Sequence, residues 1–547
     1  MKKPSKYTRG ENRREALRTL AVAAGGATLG GYLPGCTQGV DGPEPSDAGT
    51  TPPTGGAGGA LSDTGPLGGS QTPDTAALGG AQTHDAAPLG GTRPPDAGPP
   101  PDAGELPDAA PAGEPDLVPL RGDGSHPFHY IDTLILVQME NRSFDHYFGS
   151  LSLEEGRDDV EGLRPGMSNP DRDGNPIAPA PLGENYAVSP DPGHGHRASM
   201  NQWNEGACDG FVRDYQDRIG GGDPTHAPWI MGYYTRRELP TSYGLADAFT
   251  LCDHWFCGLR GPTWPNRYYS HCASSGGLTG NDGLCSEPTP YTTLAEAGGS
   301  YRVYYTSLYF LLTITSVRQK NAVKMDRFFA DCEAGTLANV NIVEPAFLMN
   351  DDHPPADVRN GQAFLATVYE AVRRSPQWNR CLMLIFYDEH GGFHDHVSPP
   401  ESQGDTRGGD AFGRFGFRIP GLLIGPLVRR GQVFQGTVDH ASVPALVSHV
   451  FGLPHVNERS RLSGDFAGAL DLALVQGANR PPPPRLPALN LPEDALDLAL
   501  YAELQQPELE VWFRKMGMAH QASLPERRRL LRNYLLNAKR LGAVRFT

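Results

Sequence analysis

Two uninterrupted apolar runs, each ending in paired polar residues, constrain this chain more than any other feature. The stretch "IDTLILVQMENRSFDHYFG" begins at Ile131, and its residues 133–137 form a continuous run of the kind found in a strand buried on both faces. The run stops at Glu140–Asn141. The residues after that pair can start a helix, with Ser143 or Asn141 as its cap and Gly149 as its end. "RCLMLIFYDEHGG" repeats the design: Cys381–Phe386 is buried-type, Asp388–Glu389 ends it, and Gly391–Gly392 break any regular structure. A third run occupies 421–427, another strand is expected from Tyr301, and residues 361–375 carry a helical pattern. Strands alternating with helices predict an α/β fold, a mostly parallel central sheet flanked by helices.

In such sheets, ligands bind outside the carboxyl ends of the strands. If the two strands are neighbours, Glu140, Asn141, Asp388 and Glu389 converge there. Three buried carboxylates without a counter-charge repel one another. A divalent cation in an oxygen cage is the simplest remedy, whereas helix capping by the acids is the plainer alternative. The segment "YDEHGGFHDH" (387–396) also holds His390, His394 and His396. His390 and His394 have the i, i+4 spacing of a helical zinc pair, but the two glycines argue against a helix. All three read better as loop histidines than as ligands.

Composition divides the 547 residues, a length that allows roughly two to four units. Of the formal charge of −16, residues 37–116 hold −11, and the first 35 residues carry +5. That balance argues against sequence-independent nucleic-acid binding. Residues 1–35 resemble a twin-arginine export signal, with Arg13–Arg14 ahead of a short, mildly apolar stretch. "LPGC" resembles a lipobox, which makes Cys36 a candidate lipid anchor and the one membrane attachment foreseen; the alternative is a plain cleaved signal. Residues 36–120 form a Pro/Gly/Asp-rich spacer with an 11-residue repeat that sets Asp63, Asp74, Asp85 and Asp96 in phase. The expected location is the periplasm or cell surface, or the medium if no lipid is attached. Seven cysteines remain beyond Cys36, their pairing is not readable, and no CxxC spacing marks a zinc site.

Further short segments now line up: "MENRSFDHYFG", "DPGHGH" (191–196), "CDGFV" (208–212), "LADAFTLCDHWFC" (245–257), "GPTWPNR" (261–267), "DDHPP" (351–355), "YDEHGGFHDHVSPP" and "DHASVPALV" (439–447). Eight in one order resemble the bacterial phosphoesterases that include non-haemolytic phospholipases C and acid phosphatases, with an alkaline phosphatase-like core. The resemblance implies a metal held by Glu140, Asn141, Asp388 and Glu389, with the hydroxyl of Thr263 as nucleophile between metal and substrate. It also implies histidines around the phosphoryl group, His353 and His194. Because "DPGHGH" carries a second histidine where the family more often has an aromatic, His196 stays open beside His194.

The residues' own chemistry agrees. A threonine hydroxyl is a weak nucleophile that a bound cation can activate, and the prolines and glycine of "GPTWPNR" fix its backbone. Asn266 and Arg267 are candidate donors to the phosphoryl oxygens; a loop-supporting salt bridge is the other reading of Arg267. The substrate is then a phospholipid or a small phosphate ester. Phospholipase C chemistry through a phosphothreonine is the leading expectation, a broad acid phosphatase the alternative, and a non-enzymatic surface lipoprotein the least favoured. No G-x-S-x-G elbow, P-loop or sulfatase signature competes. The catalytic body spans 121–478. Residues 479–547 open with "RPPPPRLP", a stiff connector. A helix comes after it, with a capping box from Ser523 to Glu526, a stripe of Leu530, Leu531, Tyr534 and Leu535, and Gly542 as its stop. It is expected to dock on the body, with a membrane-surface helix as the alternative.

Overall fold

The computed structural model of the protein describes residues 115–218, 227–317, 321–347, 349–405, 409, 411–492 and 524–547. The expectations on export, on Cys36 and on the 11-residue repeat fall in residues 1–114, outside that set.

Eight strands form the central sheet: β1 (Thr133–Met139), β2 (Thr250–Cys252), β3 (Tyr301–Tyr305), β4 (Ala322–Lys324), β5 (Val340–Val343), β6 (Cys381–Tyr387), β7 (Gly421–Ile424) and β8 (Gln432–Phe434). Their order across the sheet is β8-β2-β7-β6-β1-β5-β3-β4. Neighbours are parallel except at β7, which runs antiparallel to both β6 and β2. The sheet is therefore mixed but mostly parallel, as the strand and helix pattern predicts. The apolar run at 421–427 supplies the reversed strand, and Pro426, which cannot donate to a ladder, stands just past its end.

β1 and β6 are adjacent at the centre, and every one of their residues is buried. Burial on both faces is why each reads as an unbroken apolar run. Met139 stands opposite Tyr387, so Glu140 and Asp388 leave the sheet side by side. On the other side of β1, Val343 at the end of β5 stands opposite Val137. Glu344 therefore emerges at the same edge.

Five helices matter here: α1 (Phe144–Phe148), α2 (His196–Trp203), α3 (Thr263–Cys272), α4 (Val358–Arg373) and α5 (Leu524–Arg540). Ser143, not Asn141, caps α1, its hydroxyl accepting from the His146 N–H at 3.2 Å. The pattern at 361–375 is α4, which starts three residues earlier because the Asp357 side chain caps it. The proline-rich connector lies along the body. The Tyr369 hydroxyl donates to Pro484 O at 2.6 Å, and Arg430 donates to Pro481 O and Pro482 O. Tyr534 of α5 is buried beside Phe329 and Phe364, and its hydroxyl donates to Ala363 O of α4 at 3.2 Å. Ser523 and the side chains of Leu530 and Leu531 lie outside the described residues. No described helix is long and apolar enough to cross a membrane.

Candidate active site

The carboxyl edge of the sheet gathers four acids, Glu140, Glu344, Asp388 and Glu389, all buried. One Asp388 oxygen accepts the backbone N–H of Asn141 at 3.0 Å and that of Glu389 at 2.8 Å. A single carboxylate thus ties the ends of β1 and β6 together. Asn141 adopts a left-handed φ of 60°, a conformation asparagine tolerates better than most residues. The glycine pair has a steric cause. A Cβ on Gly391 would lie 2.1 Å from Asn141 O, and one on Gly392 would lie 2.3 Å from Gly193 O. Only glycine lets the 389–392 turn press against both the β1 end and the "DPGHGH" loop.

Arg267, buried in α3, faces three of the acids. Its guanidinium lies 3.2 Å from Glu140, 3.2 Å from Glu344 and 3.3 Å from Asp388. Burial alone would lower its pKa, but Glu140, Asp388 and Glu344 outweigh that and raise it. Burial pushes Glu140 well above the usual carboxylate range, against the pull of Arg267, and burial with the Asp388 charge does the same to Glu389. Four acids against one arginine leave the pocket short of positive charge. Two oxygens, Asn141 Oδ1 and Glu389 Oε1, are buried without a hydrogen-bond partner. Unpartnered buried oxygens among excess carboxylates form the donor set a hard divalent cation takes. Glu140, Asn141, Asp388 and Glu389 have the donor chemistry for such a cation, although the three acids do not bring one oxygen each within 4.8 Å of one another.

Thr263 opens α3, directly after Pro262. Arg267 stands four residues on, hence on the same helix face. The helix that carries Arg267 into the acids therefore presents Thr263 on that face at its positive end. Asn266 does something other than expected. Its amide oxygen accepts Leu259 N–H at 3.0 Å, and its NH₂ donates to Gly261 O and Pro262 O. Both ends of the side chain hold the loop before Thr263, which corrects its reading as a phosphoryl donor. Arg267 is likewise engaged in ion pairs with the acids at the sheet edge.

His194 and His353 face each other, ring centroids 5.7 Å apart and nearly perpendicular. His194 Nδ1 donates to Pro192 O at 2.9 Å and His353 Nδ1 to Pro354 O at 2.7 Å, an assignment set by those carbonyl acceptors. In the neutral ring neither Nε2 then carries the proton. His194 Nε2 is 3.5 Å from Asn141 Nδ2, and burial lowers the pKa of this imidazole. His196 turns away, its Nδ1 bonded to Arg260 O at 2.6 Å. Asp191 joins His194 and His353, with one donor atom of each within 4.8 Å of the others. Among the described residues, this is the group of acids and histidines whose donor atoms converge closely enough to hold a cation.

The remaining histidines of "YDEHGGFHDH" are structural. His390 Nε2 bonds Gln202 at 2.6 Å, and His394 packs on Phe211. His396 meets Asp145 at 2.6 Å and Glu161 at 3.3 Å. Buried Arg418 donates to both Asp145 and Asp395. Burial would raise the Asp145 pKa, but His396 and Arg418 hold it far below the usual range; burial would lower that of His396, but Asp145 raises it. The Asp145 contribution to stability is complete above about pH 3.9 and lost on acidification; that of His396 is complete below about pH 6.5 and lost as pH rises through its higher folded pKa. Thermal stability should peak between those limits, and His396→Gln should flatten the alkaline limb of a Tm-against-pH curve. An unaltered limb would show that the pair contributes nothing.

Three residues at the site escaped the sequence reading. Glu344 comes directly after "VNIV", a short run with the same strand-then-acid signature. Asp191 opens "DPGHGH". His440 donates through Nε2 to Asp388 O at 2.6 Å, its pKa pushed down to about 3 mainly by burial, and so braces the β6 end as a neutral ring.

The sequence profile of the phosphoesterase family matches residues 131–454, a span containing every residue named above as part of the site. The chain belongs to the phosphoesterase family. It is a hydrolase of phosphoric ester bonds. The phosphoesterase is 33% identical over 375 residues to non-specific phospholipase C1 of Arabidopsis thaliana, covering 61% of this chain and 70% of that one. It is 31% identical over 444 residues to phospholipase C B of Mycobacterium tuberculosis, covering 67% and 84%. Among solved structures it is similar to a protein in the alkaline phosphatase superfamily from Vibrio parahaemolyticus, at 10% identity over 42% of this chain and 64% of that chain, with a TM-score of 0.28. A likeness that distant carries no functional argument.

Proposed function

We propose that this phosphoesterase is a phospholipase C-type enzyme that releases phosphorylated head groups through a phosphothreonine at Thr263. One observation carries the reading: α3 bears both Thr263 and Arg267 on a single face, and Arg267 is locked into the acids at the sheet edge. The phospholipase C names of the relatives favour a lipid phosphodiester. A divalent cation among Glu140, Asn141, Asp388 and Glu389 would supply, when bound, the charge that lowers the Thr263 hydroxyl pKa and offsets the phosphoryl oxygens.

The side chains do the rest. Asn266 fixes the 259–262 loop, so the Thr263 hydroxyl is presented without reorganisation. Its oxygen attacks phosphorus in line, its proton passing to the Nε2 of His194 or His353, as the bond from phosphorus to the lipid alcohol oxygen breaks. His194 and His353, each anchored through Nδ1, aim Nε2 into the site; a protonated Nε2 there meets a phosphoryl oxygen or returns a proton to the leaving oxygen. Water then attacks phosphorus, frees the phosphorylated head group and restores Thr263. The export signal at 1–35 and the 36–120 spacer would set this chemistry outside the cytoplasm.

The test is an assay of the purified full chain on phosphatidylcholine and on an aryl phosphate, with and without chelator. Phosphocholine release should be the faster reaction. Chelator should abolish it and added divalent ion restore it. Faster aryl phosphate hydrolysis would favour the acid phosphatase reading, and chelator-resistant turnover would remove the metal. No turnover of either substrate would favour a non-catalytic surface lipoprotein.

A further inference from the structure

Helix α3 is bound along its length by the segment that comes after it. Beyond Cys272 the chain runs out to Asn281, whose side-chain oxygen accepts the Trp264 N–H at 2.8 Å, one residue from Thr263. It then turns back past Gly283, whose carbonyl accepts the Tyr268 hydroxyl at 2.7 Å. It returns to the end of α3 at Cys285. The two ends of this strap meet at two buried thiols. Cys272 Sγ lies 3.7 Å from Glu287 O and Cys285 Sγ 4.0 Å from Ser274 O, so each thiol sits against the backbone two residues beyond the other cysteine. Both backbones are pinned. Asn457 donates to Cys272 O at 2.9 Å, Cys285 N–H bonds Thr313 O at 3.0 Å, and Thr315 N–H bonds Cys285 O at 2.8 Å.

We propose that Cys272 and Cys285 form a disulfide that closes this strap and so secures the helix start at Thr263. The oxidant is a low-molecular-weight disulfide such as oxidised glutathione. One cysteine thiolate attacks it, releasing one reduced glutathione; the second thiolate attacks the mixed disulfide and releases another. Two cysteine thiols lose two protons and two electrons, and one glutathione disulfide becomes two thiols. Burial disfavours the thiolate of Cys272 in the closed fold, so the bond forms while the strap is still closing. The linkage does not depend on which ester the enzyme cleaves.

Trypsin leaves both cysteines on one peptide, residues 268–302, which has no internal Lys or Arg. The full chain, purified without reductant from an oxidising compartment, is alkylated in denaturant and digested. The expected peptide carries no alkyl group and is two hydrogens lighter than its reduced form; prior reduction gives two alkyl groups. Two alkyl groups without reduction would overturn the proposal, as would a link from either cysteine to any other. In the folded full chain, reducing the bond should speed hydrogen exchange of the Trp264 amide by roughly tenfold. Unchanged exchange would overturn the strap's role at the helix start.

Discussion

Thr263→Ala should cost turnover roughly 10⁴-fold or more and leave the fold intact. The side chain opens α3 and makes no hydrogen bond on which the helix depends, since Asn266 and Asn281 hold the loop and the first turn. Removing it therefore takes away the attacking oxygen and little else. Thr263→Ser keeps that oxygen and should retain much of the activity. Stopped assays beside circular dichroism and Tm settle the point. An alanine variant with activity near wild type would assign the nucleophile elsewhere, and one that unfolds would give Thr263 a structural part instead.

Replacing Arg267 should have the largest effect on stability. Its guanidinium is buried among Glu140, Glu344 and Asp388 and also donates toward Gln138 O and Met139 O. Arg267→Met leaves these carboxylates facing one another with no cation, a loss of about 3–5 kcal/mol. Arg267→Lys should recover part of it, because a single ammonium cannot match a planar fork set between three acids. Denaturant unfolding without added metal measures both. A loss below about 1 kcal/mol for the methionine variant would mean the acids are neutral in the folded chain.

The backbone of the site was legible because burial on two faces leaves a plain mark. "TLILVQM" and "CLMLIFY" can be little else than central strands, and the acids after them must then sit at one edge. Glu344 was missed although "VNIV" carries the same mark: the run is only four residues long and Pro345 comes soon after it. What could not be read was how each polar group would be used. His390, His394 and His396 share a segment with Asp388 and Glu389, yet the turn at Gly391–Gly392 sends them to Gln202, Phe211 and Asp145. Asn266 lies one helical turn from Thr263, yet its amide is spent on three backbone groups. Such partners come from loops far apart in sequence, and no local pattern announces them. His194 and His196 are indistinguishable by spacing; only the fold points one at Asn141 and the other at Arg260 O.

The most direct measurement is an anomalous-difference map from crystals of the full chain grown with Mn²⁺. The account predicts a peak bounded by Glu140, Asn141, Asp388 and Glu389, about 2.0–2.6 Å from their oxygens and from the Thr263 hydroxyl. A peak confined to Asp191, His194 and His353, or one out of reach of Thr263, would contradict it.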